Sequence, residues 1–117
     1  GFVVQGGGLT TGFVEKTGAR APIKLESNVA GLSNVAGTIA MARTTTPDSA
    51  TSQFFFNTVN NAASLDYASA SAPGYAVFGR VISGIATVNA INAETQLYAG
   101  AETPATEVLL YWAQRLK

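Results

Sequence analysis

Along this chain the apolar residues come in short runs rather than in long helical stripes. FVVQ at 2–5, GTIAMAR at 37–43, SQFFFNT at 52–58, YAVFGRV at 75–81 and EVLLYWAQRL at 107–116 are rich in β-branched or aromatic residues. The first four are bounded at one end or both by Gly, Asn or Ser. Runs of that length with that punctuation predict strands, and several together predict an all-β sheet or barrel. One stretch departs from this pattern. In SGIATVNAINA at 83–93, Ile85, Val88 and Ile91 recur every third residue with Ala86 and Ala90 beside them. That spacing predicts one helix, begun by Ser83 and Gly84 and laid over one end of the sheet.

The intervals read as surface loops. TTTPDSAT at 44–51 and DYASASAPG at 66–74 carry mostly small and turn-forming residues, and loops on a rigid β scaffold are where binding groups usually sit. SNVAG occurs at 27–31 and again at 33–37. Two copies fall far short of a repeat architecture and read as two Asn-containing turns.

Composition narrows the function. The 117 residues fit one small domain spanning 1–117, and 47% hydrophobic content with a mean hydropathy of +0.21 supports a packed core. Seven basic residues balance seven acidic ones, so neither nucleic acid nor a charged membrane surface is an expected partner. No apolar stretch is long enough to span a bilayer, and residues 1–20 lack the pattern of a signal peptide, so the chain reads as a mature segment. There is no His and no Cys, which removes Ser–His and Cys–His nucleophiles, ordinary zinc sites and disulfides. No metal and no cofactor is expected.

The motif QGGG at 5–8 has neither the Lys-Ser/Thr of a phosphate loop nor the spaced glycines of a dinucleotide site. The carboxylates Glu15, Glu26, Asp48, Asp66, Glu94, Glu102 and Glu107 are scattered. They read as solvated surface groups or turn caps rather than an acid–base pair.

Three stretches together carry a family resemblance. GFVVQGGG at 1–8, GTIAMARTTTPDSATSQFFFNT at 37–58 and GYAVFGRVISG at 74–84, in this order and spacing, resemble the signatures of the cyclophilins, the peptidyl-prolyl cis/trans isomerases, and bacterial members in style. The likeness runs from Gly1 to about Ile91 and more loosely through the last predicted strand. It implies a cyclophilin-like antiparallel β-barrel of eight strands capped by helices, with a proline site on its outer face. It also implies rotation about X–Pro bonds, proline-containing peptides and unfolded proteins as partners, a role in protein folding, and a bacterial cytoplasmic or periplasmic home.

That activity suits this composition. Rotation about an X–Pro bond meets a barrier of roughly 18–20 kcal/mol because amide resonance must be broken. No bond is cleaved. The protein needs an apolar seat for the proline ring and hydrogen-bonding groups that favour the twisted amide, and neither requires His or Cys.

Carried onto this sequence, the resemblance places the proline pocket on Phe2, Val3, Met41, Phe55, Leu65 and Tyr75, and the polar side on Gln5, Gln53 and the backbone of Ala42 and Arg43. Phe2, Gln5 and Phe55 are the expected catalytic members. Alternation along a strand allows only one face of the trio Phe54, Phe55, Phe56 to point inward. With Phe54 and Phe56 inside, Phe55 is outside and available to a ligand; the alternative is that the trio is simply core. Gln5 both donates and accepts, and its alternative is a satisfied strand amide. The extended backbone at MAR, 41–43, suits β pairing with a bound peptide, so the amide and carbonyl of Arg43 matter more there than its side chain.

The chain also departs from the family pattern. Val3 stands where many relatives have Met, and is shorter and stiffer. Ser64 stands where relatives place an aromatic that strongly affects cyclosporin binding, so weak cyclosporin binding is expected. In the family a strand bearing the catalytic Arg comes just before the pocket Phe, with further strands and a helix ahead of it. None of Arg20, Arg43, Arg80 and Arg115 lies in a matching motif. The Arg is therefore expected ahead of Gly1, in a segment that is cleaved, forms another chain, or lies outside this sequence. A non-catalytic proline-peptide binding module, an inactive fragment and a purely structural β domain remain alternatives.

Overall fold

The computed structural model describes residues 1–99 and 101–116. Six strands and two helices follow one another: β1 (Val3–Gly6), β2 (Leu9–Thr10), β3 (Val14–Glu15), β4 (Thr38–Met41), β5 (Phe54–Asn57), α1 (Ala62–Leu65), β6 (Val77–Arg80) and α2 (Ile85–Asn92). β1, β5, β4 and β6 form a four-stranded sheet in that order, and β2 pairs with β3 as a separate hairpin. Every pairing is antiparallel. The expected all-β character holds. Among the described residues the main sheet is open, with β1 and β6 at its edges, and does not close into a barrel.

Four of the five predicted strands form where the alternation places them. The fifth, 107–116, is irregular: Leu110, Tyr111 and Trp112 are 68, 86 and 72% exposed. A strand exists by its ladder, and none of β1–β6 pairs with this segment. The predicted helix forms as α2, whose Val88 is buried and which packs against β1. Two elements escaped the sequence reading. The β2–β3 hairpin is wholly exposed, and α1 is only four residues long.

The core lies on one face of the sheet. Gln5 pairs with Phe55, Phe55 with Ala40 and Ala40 with Val77, so one row of side chains crosses all four strands. Phe55, Ala40 and Val77 are buried there with Ala42 and Leu65, and Val3 and Tyr75 pack against them. Leu65 comes from α1 and Tyr75 from the loop that follows, and a backbone hydrogen bond from Tyr75 N–H to the Leu65 carbonyl (2.8 Å) joins the two.

Beside this small apolar cluster runs a relay of buried amides. Asn61, Asn57 and Asn34 are 5, 0 and 1% exposed. Asn61 Nδ2 donates to the Phe2 carbonyl and to Asn57 Oδ1, each at 2.8 Å. Asn57 Nδ2 donates to Asn34 Oδ1 (3.2 Å) and Thr38 Oγ1 (3.0 Å). Asn34 Nδ2 in turn reaches the Leu65 carbonyl (3.0 Å), Asp66 Oδ1 (2.9 Å) and the Tyr75 carbonyl (3.1 Å). Buried amides are tolerated only when partnered in this way. The two copies of SNVAG are therefore unlike: Asn28 is exposed in a turn, while Asn34 is one of the most buried side chains.

Replacing the middle of the relay tests its weight. Asn57→Ala removes a donor from Asn34 Oδ1 and Thr38 Oγ1 and an acceptor from Asn61, and should cost about 3 kcal/mol. In urea unfolding the midpoint falls while the slope stays constant.

Candidate functional site

The site forms where β1, β5 and the turn after β1 meet. Gln5 is exposed on β1, opposite Phe55, and its Nε2 donates to Gln53 Oε1 at 2.8 Å. The glycines after Gln5 make that pairing possible. Gly7 has φ +82°, and a Cβ there would run into the Ser52 carbonyl; a Cβ on Gly8 would lie 2.7 Å from Gln53 Cδ. Ser52 Oγ donates to the Gly7 carbonyl at 2.9 Å and pins the turn to the strand entrance. QGGG is thus the seat of an amide pair and not a phosphate loop.

Beside the amides, on the same face of the sheet, lies Phe55. It is 3% exposed and meets Tyr75 in a T-shaped contact with ring centroids 5.6 Å apart. This corrects the expectation that Phe55 points outward: the alternation holds with its phase reversed. Leu65 and Tyr75 cover the Phe55 face of the sheet. Phe54 and Phe56 point to the other face, their rings T-shaped with centroids 5.8 Å apart, and both are half-buried. Sequence alternation fixes which residues share a face but not which face the next layer covers.

The other expected members divide. Val3, Ala42, Leu65 and Tyr75 gather around Phe55. Phe2 is 49% exposed just ahead of β1, its carbonyl held by Thr58 N–H (3.2 Å) and Asn61 Nδ2 (2.8 Å). Met41 does not join them. It pairs with Phe54 and lines a separate cavity of about 270 Å³ on the back of the sheet, with Ile23, Leu25 and Phe78. Residues 41 and 42 alternate across the pleat, so one strand cannot send both side chains to the same pocket.

The backbone at 42–43 is half free. Ala42 N–H is given to the Gln53 carbonyl at 3.0 Å, whereas Arg43 N–H has no partner among the described residues. The Arg43 side chain is held: its guanidinium carbon stands 4.6 Å over the Tyr75 ring, and its Nε donates to the Gly74 carbonyl at 2.9 Å. Arg20, Arg80 and Arg115 are all exposed, and no arginine hydrogen-bonds Gln5 or Gln53 among the described residues.

Sequence reasoning missed Asp66, which it read as a surface group or cap. Asp66 follows Leu65 at the end of α1 and accepts from Ser33 Oγ (2.5 Å), Asn34 N–H (2.7 Å) and Asn34 Nδ2 (2.9 Å). Burial works to raise its pKa, but the Ser33 hydroxyl and the backbone and side-chain N–H groups of Asn34 outweigh it, and the carboxyl titrates below its ordinary value. Asp66 anchors the loop that delivers Tyr75.

A sequence model of the family described as cyclophilin type peptidyl-prolyl cis-trans isomerase/CLD matches residues 1–111. The match covers nearly the whole chain and defines its class: this chain belongs to the cyclophilin family. It is 52% identical over 98 residues to a peptidyl-prolyl cis-trans isomerase of Acinetobacter baylyi, covering 83% of this chain and 50% of that protein. It is 47% identical over 92 residues to peptidyl-prolyl cis-trans isomerase A of Dickeya dadantii, covering 79% of this chain and 46% of that one. With peptidyl-prolyl cis-trans isomerase B of Escherichia coli it shares 46% identity over 93 residues, or 78% of this chain and 55% of that protein. The chain spans about half the length of the curated relatives it matches.

The Asp66 anchor carries a pH signature. Because the folded carboxyl holds its proton less readily than the unfolded one, its contribution is complete above the ordinary aspartate value and drains away as pH falls through the lowered folded value. As pH falls through the ordinary aspartate range and below it, the native protein should lose stability more steeply than Asp66→Asn. Denaturant midpoints measured across that range give the comparison, and parallel curves would exclude the anchor.

Proposed function

We propose that this chain supplies the proline-binding side of a peptidyl-prolyl cis/trans isomerase that accelerates rotation about X–Pro bonds in peptides and slow-folding proteins. The observation that carries the reading is the Gln5–Gln53 amide pair on the same sheet face as Phe55, against which Leu65 and Tyr75 pack. Proline offers an apolar ring and no N–H. The apolar wall takes the ring, and the unpartnered N–H of Arg43 pairs with the carbonyl of the peptide in extended form.

The chemistry is selective stabilisation. As the amide twists, resonance is lost, the carbonyl turns out of plane and the nitrogen becomes pyramidal. Gln5 and Gln53 keep donors and acceptors beyond their mutual bond and are fixed by the turn at Gly7, so they meet the twisted form without reorganising. The guanidinium that would donate toward the prolyl nitrogen is expected ahead of Gly1. A second reading, a binding module without catalysis, draws on the absence of any arginine bonded to the amide pair among the described residues.

The full-length protein distinguishes the two. Exchange spectroscopy on a proline tetrapeptide should show accelerated cis/trans interconversion, lowered roughly tenfold or more by Gln5→Ala. Gln5 is exposed, so the melting temperature should hold and the loss can be read as catalysis. Binding without acceleration would leave only the module reading.

The same reading includes weak cyclosporin binding. Ser64 is exposed on the wall of the cavity beside Tyr75, where a larger aromatic would give an apolar macrocycle something to lie against. Calorimetry should register weak binding that strengthens in Ser64→Trp; tight binding by the native protein would contradict the assignment.

A further inference from the structure

Tyr75 is shared between two neighbours. Phe55 meets it edge to face at 5.6 Å, and the Arg43 guanidinium lies over it at 4.6 Å. Arg43 is half-buried and held at two further points, by Nε to the Gly74 carbonyl (2.9 Å) and by Nη1 to the Thr44 carbonyl (2.8 Å). The Gly74 carbonyl is itself fixed. Gly74 has φ +64°, and a Cβ there would lie 2.5 Å from the Asp66 carbonyl carbon, so the chain passes where only glycine fits.

A guanidinium has five N–H donors, and two are used here. Both hydrogens of Nη2 and the second of Nη1 make no hydrogen bond among the described residues. The group forms part of the wall of an open cavity of about 690 Å³ that also includes Thr44, Ser64, Ser71 and Tyr75. Asp66 lies on that wall too, but both its oxygens are engaged by Ser33 and Asn34. The charged group left with hydrogen-bonding capacity toward the cavity is Arg43.

We infer that the Arg43 side chain determines specificity, giving preference to proline peptides with a carboxylate adjacent to the proline. This rests on the isomerase reading and reverses the expectation that the Arg43 backbone matters more than its side chain. A guanidinium already clamped over an aromatic ring loses little conformational freedom when it binds. Its remaining N–H groups present a planar fork that a carboxylate matches with charge-assisted bonds. A neutral amide of the same shape offers one acceptor and no charge.

The test uses the full-length protein and two pairs of proline peptides, differing only by Glu or Gln immediately before the proline in one pair and immediately after it in the other. In at least one pair kcat/KM should favour Glu by about fivefold at low salt. The ratio should shrink toward unity as ionic strength rises from roughly 0.05 to 0.5 M, vanish in Arg43→Gln and survive in part in Arg43→Lys. A side chain that merely propped up Tyr75 would lower turnover of both peptides alike and leave the ratio and its salt dependence unchanged. Should Arg43→Gln fail to fold, the salt dependence in the native protein and the Arg43→Lys ratio decide. Equal turnover of Glu and Gln peptides in both pairs, or a preference that persists in Arg43→Gln, overturns the inference and leaves the isomerase reading standing. Failure to isomerise any peptide removes that reading and this inference with it.

Discussion

The relay from Asn61 through Asn57 to Asn34 is the constraint on which the rest of the structure depends. The fully apolar core is small, and much of it is alanine, so dispersion and burial alone leave the layer over the sheet loosely specified. Directional bonds supply what volume does not. One end of the relay fixes the backbone at Phe2, ahead of β1, and the other fixes the carbonyls of Leu65 and Tyr75. The strand that bears Gln5 and the loop that bears Tyr75 are set by one hydrogen-bonded chain. The cost of such an arrangement is that no member can be lost alone, since each buried amide is satisfied only by the next.

The sheet then sorts the side chains. Because the pleat alternates, Phe55, Gln5, Val3 and Ala42 share the covered face, and Met41 goes to the back with Phe54. Catalysis by twisting an amide needs a rigid apolar floor and polar groups that are already oriented. Both are here made of uncharged side chains. That suits a chain with no His or Cys: on the isomerase reading proposed above, the chemistry comes from position, not from titration.

Much of this was legible in the sequence, for identifiable reasons. Four strands and α2 follow from period and punctuation, because each has a neighbour that uses its pattern. EVLLYWAQRL has the same pattern and, among the described residues, no neighbouring strand, so propensity alone did not make it a strand. That Gln5 and Phe55 come together was readable through QGGG and SQFFFNT, but the direction of Phe55 was not. Its direction depends on α1 and the 66–75 loop, whose polar composition suggested surface. Asn34 and Asp66 were illegible for a related reason: an Asn in a turn and an Asn in a core look alike until their partners, over 20 residues away, are in place.

Phe55 shows how closely the fold and the site are joined. Its ring is 3% exposed against Leu65 and Tyr75, and it also forms the floor of that face beside the amide pair. A proline ring can reach such a floor only through the edges of the residues that cover it. Tyr75 is the more adjustable of these, since it is half-buried and held from the backbone, while Leu65 is locked in the cluster. The position of Tyr75 is set on one side by the asparagine relay and on the other by Arg43. The shape of the proposed proline seat is therefore decided less by the aromatic trio than by the polar groups that hold its lid, Asn34 bonding to the Tyr75 carbonyl and Arg43 lying over the ring.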